Sequence, residues 1–497
     1  MDTRVPPVTM DPAAEVKSQR GRHDPDEMED LFSRMLSRTR NVLPDPPVSV
    51  DGRLFALLPH DSVDGIRRLP DMLLGNIVSR LPGLALHPLV LVDSHILPAD
   101  AGTAVVRANA RRITSAVSRI LAAHPGPFRC VHLTSYYMEE FDGLLRRWLQ
   151  ILADKGIEEL ILVNRPMPLG YLLRSTFFLP STFLGMTTLT CLYLGLWKFP
   201  DMAGVKRTTF FPNLRELGLC TVLMESKDLD FILDRSPVLE MLCVESNIFN
   251  LGLRLVSQSI RCVKIILSFF EEIAVVDAPC LERLILSGGW TKDGVCTKVK
   301  ISHAPKLQSL GYLDLENHVL EFGNTVIKAG TKASPSTMVP SVRILALDVR
   351  CGVRSYAKMI PAVLRCFPNV ETLHIMSGET GQPSVKHNLE FLNESGTIKC
   401  IRSCIKLLVF HDFRGDRSEL AFLKFFFKSA LVLEEALIVM ANGSFTLMED
   451  MLSKVKPLGS MKRASSDSTI TINPQGGSIW NFKKASDFSL CDPFAND

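Results

Sequence analysis

The sequence lacks the features that mark membrane-spanning, secreted and strongly charged proteins. Hydrophobic residues make up 46% of the 497 and the mean hydropathy is +0.16. Yet no uninterrupted apolar run approaches the roughly 18 residues that a membrane span needs. The N-terminal residues contain no apolar stretch of the kind that a secretory signal requires. With 56 basic and 53 acidic side chains the net charge is +3, so no overall field attracts nucleic acid or an acidic membrane.

Recognisable catalytic and metal-binding patterns are also missing. The chain has no GxGxxG, GxxxxGK[ST], HExxH or GxSxG sequence, which excludes the commonest nucleotide-binding, zinc-protease and serine-hydrolase motifs. Its 12 cysteines include no CxxC pair, and several stand in apolar segments where a small side chain fits a core. We therefore expect a non-catalytic protein with reduced cysteines, no metal and no cofactor, in the cytoplasm or the nucleus.

The dominant feature is a short sequence motif, LxxLxL, that recurs ten times and often follows a proline. Its clearest copy is PNLRELGL, where Leu214, Leu217 and Leu219 hold the pattern. The copies begin at residues 126, 155, 187, 212, 237, 258, 279, 305, 340 and 368, so neighbouring copies lie between 21 and 35 residues apart. Ten copies at this spacing indicate an irregular leucine-rich repeat rather than chance enrichment in leucine.

The order of apolar positions in the LxxLxL motif follows from the geometry of a β-strand. Its last two leucines are separated by one residue, so both point to the same face, while the first leucine turns in from a loop. One such strand cannot bury its own apolar face, but parallel stacking of the copies forms a continuous leucine core. Between the strands, segments such as 227–237 carry apolar residues at helical spacing. We therefore predict an α/β fold, an irregular leucine-rich-repeat solenoid of parallel strands with helical or loop returns. A return is the segment that leads from one strand of the sheet to the next.

A segment ahead of the repeats, LPDMLLGNIVSRLP, has apolar residues at helical spacing, and Pro70 suits the first turn of a helix. It resembles the first half of an F-box, the helical module by which receptor subunits dock onto the Skp-type adaptor of a cullin-RING (SCF) ubiquitin ligase. The resemblance implies that the adaptor contacts are Leu69, Pro70, Leu73, Leu74, Ile77, Leu81 and Pro82. The alternative is an ordinary helix that caps the open end of the solenoid.

The second half of the F-box pattern is absent. Gly83 is followed by LALHPLVLVDSHILPADAG, in which Pro88 and Pro98 interrupt any helix. An F-box of this type usually continues into a tryptophan-containing segment, whereas the first tryptophan here is Trp148. The sequence therefore matches only part of the module.

After the repeats, the segment from Cys400 to Val439 resembles the FBD domain of plant F-box proteins. Ile405 to Phe410 predicts a strand, Leu420 to Leu431 a helix, and LEEALIV a second strand. The whole order resembles a plant F-box, leucine-rich-repeat and FBD protein. The implied domains are a flexible arm at 1–62, a partial F-box and linker at 63–99, the solenoid at 100–395, an FBD-like cap at 396–460 and a tail at 461–497.

Residues between and beside the inward leucines should line an exposed sheet. The predicted target-binding face comprises Tyr193, Glu216, Cys243, Glu245, Arg283, Ile285, Asp348 and His374. This face is weakly charged and rather apolar, which suits a protein or peptide better than phosphate. The alternative is that the N-terminal region of the chain covers part of it.

These patterns lead to two hypotheses. In the first, the chain is a substrate receptor that docks the Skp-type adaptor and holds a protein target on its repeats, so that proximity drives ubiquitin transfer. In the second, it is a stand-alone scaffold or decoy, because an incomplete F-box cannot recruit the ligase. An enzyme would need a metal or nucleophile cluster assembled across repeats, and binding to nucleic acid or membrane is not expected.

Overall fold

The computed structural model describes residues 89–92, 114–124, 127–136, 138, 142–165, 178–202, 209–247, 249–288, 296–332, 334–378, 396–441, 448–474 and 484–495. The 1–62 arm and the F-box-like segment lie outside these ranges, so the predicted adaptor contacts have no described position. Within the ranges, no helix combines the length and the apolar character needed to cross a membrane.

One parallel sheet of fourteen strands runs through the described chain. In spatial order its strands are β1 Leu89–Val92, β2 Cys130–Tyr136, β3 Glu159–Arg165, β4 Cys191–Gly195, β5 Glu216–Cys220, β6 Met241–Glu245, β8 Cys262–Ile266, β10 Arg283–Ser287, β12 Ser309–Asp314, β15 Ile344–Val349, β16 Thr372–Ser377, β17 Leu407–Phe413, β18 Glu435–Met440 and β19 Thr469–Asn473. The ten LxxLxL copies supply ten of these strands, β2 to β6, β8, β10, β12, β15 and β16. The predicted solenoid is confirmed, and we call one strand of this main sheet with its return a coil.

A second sheet of five strands is built from returns between main strands. It contains β7 Leu251–Val256, β9 Phe270–Asp277, β11 Thr297–Ile301, β13 His318–Phe322 and the short β14 Thr325–Val326. The sequence predicted helical or loop returns here, and that prediction is wrong for these coils. In β7 the buried Leu251, Leu253 and Leu255 alternate with more exposed residues, which is the period of a strand.

Helices form the returns in other coils. They are α1 Asp142–Asp154, α2 Ser226–Asp234, α3 Arg354–Ala357, α4 Ile360–Cys366, α5 Lys399–Ser403, α6 Arg417–Ser429 and α7 Met448–Gly459, and residues 114–123 are also helical. The apolar stripe of α1, which includes Leu145 and Trp148, is buried in the core. Helix α2 begins with a reciprocal capping box between Glu225 and Asp228, and it lies within the segment whose apolar spacing predicted a helix.

The FBD-like segment continues the solenoid without a break. Strand β17, helix α6 and strand β18 follow in the predicted order, β17 pairs in parallel with β16, and β18 pairs with β17. Helix α6 buries Phe422, Leu423 and Phe426 in the same core as the repeats. Strand β19, which lies in the tail, pairs with β18 and extends the sheet further. Strand β1, which the sequence did not predict, extends it at the other end.

The backbone hydrogen bonds at the two ends of the main strands recur from one coil to the next. Before the strands, a carbonyl accepts two N–H groups of the next coil: the Arg215 oxygen lies 2.8 Å from Glu240 N and 2.9 Å from Met241 N. After the strands, Thr221 and Ser246 adopt positive φ values of 51° and 49°. Each of these two residues donates its N–H to the carbonyl that ends the next main strand. Such left-handed residues are uncommon outside glycine, so this bond helps to hold the turn.

Opposite charges alternate along the edge at which the main strands begin. Each pair joins residues that directly precede neighbouring strands of the main sheet. The pairs are Arg129 with Glu158 (3.7 Å), Arg215 with Glu240, Arg261 with Glu282 (2.8 Å), Arg343 with Glu371 (2.8 Å) and Lys406 with Glu434 (3.4 Å). We call this row the charge ladder.

Candidate interaction face

The candidate functional site is the face of the fourteen-stranded sheet that points away from the leucine core, and we call it the site face. In-register pairing places Tyr193, Gly218, Cys243, Lys264 and Ile285 side by side along it. The residues on either side of these five in each strand are buried, most of them in the leucine core. The predicted row between the inward leucines is therefore one continuous line.

The residues of this row are not exposed to solvent. Of the predicted face, Tyr193, Cys243, Glu245, Arg283, Ile285 and His374 are only 0 to 6% exposed, and Glu216 and Asp348 are half-buried. The expectation of an exposed sheet is wrong for these residues. Over strands β8 to β16 of the main sheet, the cover is a segment of the tail, residues 484–495, which we call the strap. The cover over these strands is therefore the C-terminal tail and not the N-terminal region that the sequence offered as the alternative.

Arg283 on β10 fixes the main chain of the strap. Its Nη1 donates to the carbonyl oxygens of Ala485 and Asp487, both at 2.9 Å, and its Nη2 donates to that of Leu490 at 2.6 Å. Hydrogen bonds from a charged donor are roughly twice as strong as neutral ones. The fork geometry of one guanidinium therefore holds three carbonyls of a segment that forms no strand.

The strap also places an aromatic ring against two guanidinium groups. The ring of Phe488 lies 3.9 Å from the Arg261 guanidinium carbon and 4.8 Å from that of Arg283. Arg261 is at the same time paired with Glu282 in the charge ladder. Beside them, Lys264 Nζ donates to Ser486 Oγ at 3.0 Å. This cationic patch suits the face of an aromatic ring.

A carboxylate of the strap meets a pair of stacked histidines. Asp492 Oδ2 lies 2.8 Å from His374 Nε2, and His374 Nδ1 lies 3.2 Å from His411 Nε2. Burial lowers the pKa of His411 to about 3, with a further contribution from His374. Burial alone would raise the pKa of Asp492, but the hydrogen bond and charge of His374 outweigh it, so its pKa is lowered. Asp492 is therefore ionised, and His374 Nε2 carries the hydrogen that it donates.

Phe494 closes the far end of the strap in an apolar pocket. Its ring is fully buried and packs edge-on against Tyr312, with 5.2 Å between ring centroids. Ile285, Ala346 and Ala485 complete the same small core. Phe494 N also donates to Asp492 Oδ1 at 2.9 Å, which fixes the carboxylate beside the aromatic anchor.

The remaining predicted face residues form contacts within the sheet. Tyr193 Oη donates to Glu216 Oε2 at 3.5 Å, and the Tyr193 ring lies over Gly218, where a β-carbon would come within 2.2 Å of it. Burial raises the pKa of Glu216. Cys220 Sγ donates to Glu245 Oε2 at 3.4 Å. The structure therefore brings Arg283, Ile285 and His374 together under the strap and groups the others elsewhere.

Several residues of this site were missed by the sequence analysis. Lys264 occupies the face position of a degenerate copy, QSIRCVKI, so the alternation rule could have found it. His411 lies one residue beyond the predicted strand Ile405 to Phe410, inside the observed β17, and it pairs in register with Met376 of β16. Tyr312 holds the last apolar position of the copy that begins at residue 305, which the pattern assigns to the leucine core, but the strand register shifts between Leu310 and Leu313 and the ring packs against Phe494. Phe494 carries no such signal in the sequence.

The chemistry of the site face favours binding. Among the residues that the structure describes, no group of three or more histidine, cysteine or acidic side chains could hold a metal ion. The side chains under the strap are two arginines, a lysine, two histidines and apolar groups. They are arranged to hold main-chain carbonyls, a carboxylate and aromatic rings.

Comparisons with known proteins agree with this architecture. Residues 145–375 match the family model for the leucine-rich repeats of "FBD-associated F-box protein At5g56370", and residues 393–438 match that for the FBD domain. The chain is 28% identical over 209 residues to "F-box/LRR-repeat protein At1g48400" from Arabidopsis thaliana. That similarity covers 38% of this chain, and the chain spans about 40% of the length of that relative. The repeats described above are therefore similar to those of FBD-associated F-box proteins, and the segment that follows them is similar to the FBD domain.

Proposed function

We propose that this chain is a non-catalytic substrate receptor of an SCF ubiquitin ligase, which binds a protein target on the site face. The observation that carries the proposal is the match of residues 145–375 to the repeats of an F-box protein. The LPDMLL sequence that precedes these repeats supports the proposal, since this sequence supplies the helix expected to dock a Skp-type adaptor. The receptor would act by proximity, raising the effective concentration of target lysines near a recruited enzyme.

The second candidate function is a scaffold or decoy that binds a target without recruiting the ligase. Strand β1 favours it, because Leu89–Val92 lie where the second half of an F-box would continue and pair instead with β2. A single remaining helix would bury only part of the adaptor contact. The two proposals differ in adaptor binding and agree on the site face.

Adaptor binding separates the two. Titration calorimetry of the full chain with a Skp-type adaptor should show binding if the partial F-box is sufficient. Replacing Leu73 and Leu74 together by Asp should then abolish it, because two charges would enter an apolar interface. The matched control is the same double change at Leu57 and Leu58, a leucine pair outside the F-box-like pattern, which should bind as the wild type does.

Two results would count against the receptor proposal. Unchanged binding by the Leu73 and Leu74 variant would mean that another surface contacts the adaptor. Absence of binding by the natural chain, with binding gained when a complete F-box second half is inserted after Pro82, would make the chain a scaffold or decoy.

A further inference from the structure

The strap is attached in the way that a bound peptide is attached to a receptor. It contributes no strand to either described sheet, and its main chain is held through the side chain of Arg283. Asp487, Ser489, Cys491 and Ala495 are exposed, whereas Ala485, Pro493 and Phe494 are buried. A few anchors therefore hold a segment whose other side faces solvent.

The anchors define a sequence pattern. Phe488 meets the cationic patch, Asp492 meets His374, and Phe494 fills the apolar pocket. The spacing is Phe-x-x-x-Asp-x-Phe. Contacts to main-chain carbonyls accept any sequence, so selectivity must come from these three side chains.

We propose that the strap is an intramolecular pseudo-ligand, and that the site face binds protein targets through short segments with an aromatic residue, an acidic residue four positions later and an aromatic residue two further on. A target of this pattern binds by displacing the strap. This inference rests on the proposed function in taking the site face as the target-binding surface, and it names the chemistry of the target.

The test uses a fluorescent peptide with the sequence of residues 484–497 and two forms of the full chain. In the released form, Phe488→Ala and Phe494→Ala remove both aromatic anchors of the strap. A tethered segment competes at an effective concentration of about 1 mM, so a peptide with a dissociation constant of about 10 to 100 µM should bind the wild type roughly 10- to 100-fold more weakly than the released form. Fluorescence anisotropy measures both affinities.

Matched controls test the pattern and the face. A peptide that carries the same two alanines should not bind the released form. Adding Arg283→Ala to the released form should abolish peptide binding, because the donor to three carbonyls is lost. Arg343→Ala should leave binding unchanged, since Arg343 pairs with Glu371 in the charge ladder and makes no described contact with the strap.

Three outcomes would overturn the inference. Equal affinity of the wild type and the released form would show that the strap does not occupy the site in solution. A released form that unfolds cooperatively on heating yet binds no peptide would show that the face does not recognise the pattern. Loss of cooperative unfolding, both in the released form and in the milder Asp492→Asn variant, would make the strap a structural element. No adaptor or ubiquitin enters the assay, so failure of the ligase proposal leaves these results unaffected.

Discussion

Two aspartates on or against the site face have opposite electrostatic surroundings. Burial raises the pKa of Asp348 to about 7, and the neighbouring Asp314 adds to the rise. Asp492 instead faces His374, which holds the pKa of its carboxyl below the ordinary value despite burial. Burial disfavours a charge unless a partner compensates it, so the partner decides which carboxyl stays ionised. Asp348 is therefore protonated in the folded chain at pH values where it ionises on unfolding.

The pH dependence of stability should reveal Asp348. Its folded pKa of about 7 lies above the ordinary aspartate value of 3.8, so its stabilising contribution is complete below about pH 3.8 and is lost as the pH rises from there through about 7. Asp348→Asn keeps the side chain neutral and should gain stability over the wild type with rising pH, by about 2 kcal/mol above neutrality. Urea unfolding followed by circular dichroism at about pH 5 and about pH 8 measures this difference.

The exposed Asp467 provides the control for that comparison. Asp467→Asn removes one carboxylate from the surface and so measures the effect of the lost charge alone. A difference between Asp348→Asn and the wild type that stays constant with pH would show that Asp348 is ionised in the folded chain.

The charge ladder acts at the level of neighbouring coils. Its members are largely solvent-exposed, and exposed ion pairs contribute only about 0.2 to 1 kcal/mol each. Their alternation nevertheless opposes wrong alignment, because a strand that paired with the wrong neighbour would place like charges together. The ladder therefore contributes to the order of the coils more than to total stability.

Reversing one charge of the ladder should have a measurable, salt-dependent cost. Arg343→Glu places a second carboxylate beside Glu371, where the wild type has a 2.8 Å ion pair. We expect a loss of about 1 kcal/mol at low salt that shrinks at about 1 M salt, since exposed charges are screened. Chemical denaturation with urea measures it, and Arg343→Gln, which adds no repulsion, should lose less. A loss that does not depend on salt would point to packing instead.

The elements differ in how far the sequence predicts them. The ten repeat strands and the strand, helix and strand of the FBD segment follow from local periodicity, which one coil carries within its own residues. The second sheet was missed because strands as short as TKVKI give too few alternations to outweigh the expectation of helices. The strap was missed because its conformation depends on Arg283 and His374, some 200 and 120 residues away in sequence, and not on any period.

At the scale of the molecule, the repeats and the FBD segment share one sheet and one core. Strand β16 of the last repeat pairs with β17 over five residues, and α6 packs its phenylalanines into the core that the repeats also line. In a repeat array, each layer is stabilised mainly by its neighbours. Damage to the FBD segment should therefore loosen the last repeats as well.

Phe426→Ala tests this continuity. Its ring is fully buried, so truncation should cost about 3 to 5 kcal/mol. Hydrogen exchange should become faster in β17 and also in β15 and β16. Leu452→Ala, at a side chain that is 56% exposed, should cost less than about 0.5 kcal/mol and change neither region. Faster exchange confined to residues beyond 396 would mean that the FBD segment unfolds on its own.

The backbone carbonyl that precedes the main strands, such as that of Arg215, constrains where insertions can be accepted during evolution. Copies of the repeat differ in spacing by up to 14 residues, from 21 to 35, while this carbonyl bonds to the next coil in the same way. An in-frame insertion in a return leaves that contact intact. One extra codon within a main strand would turn leucines toward the strap and polar residues toward the core. Gene-level variation in length should therefore collect in the returns, where it can diversify the outer surface without altering the site face.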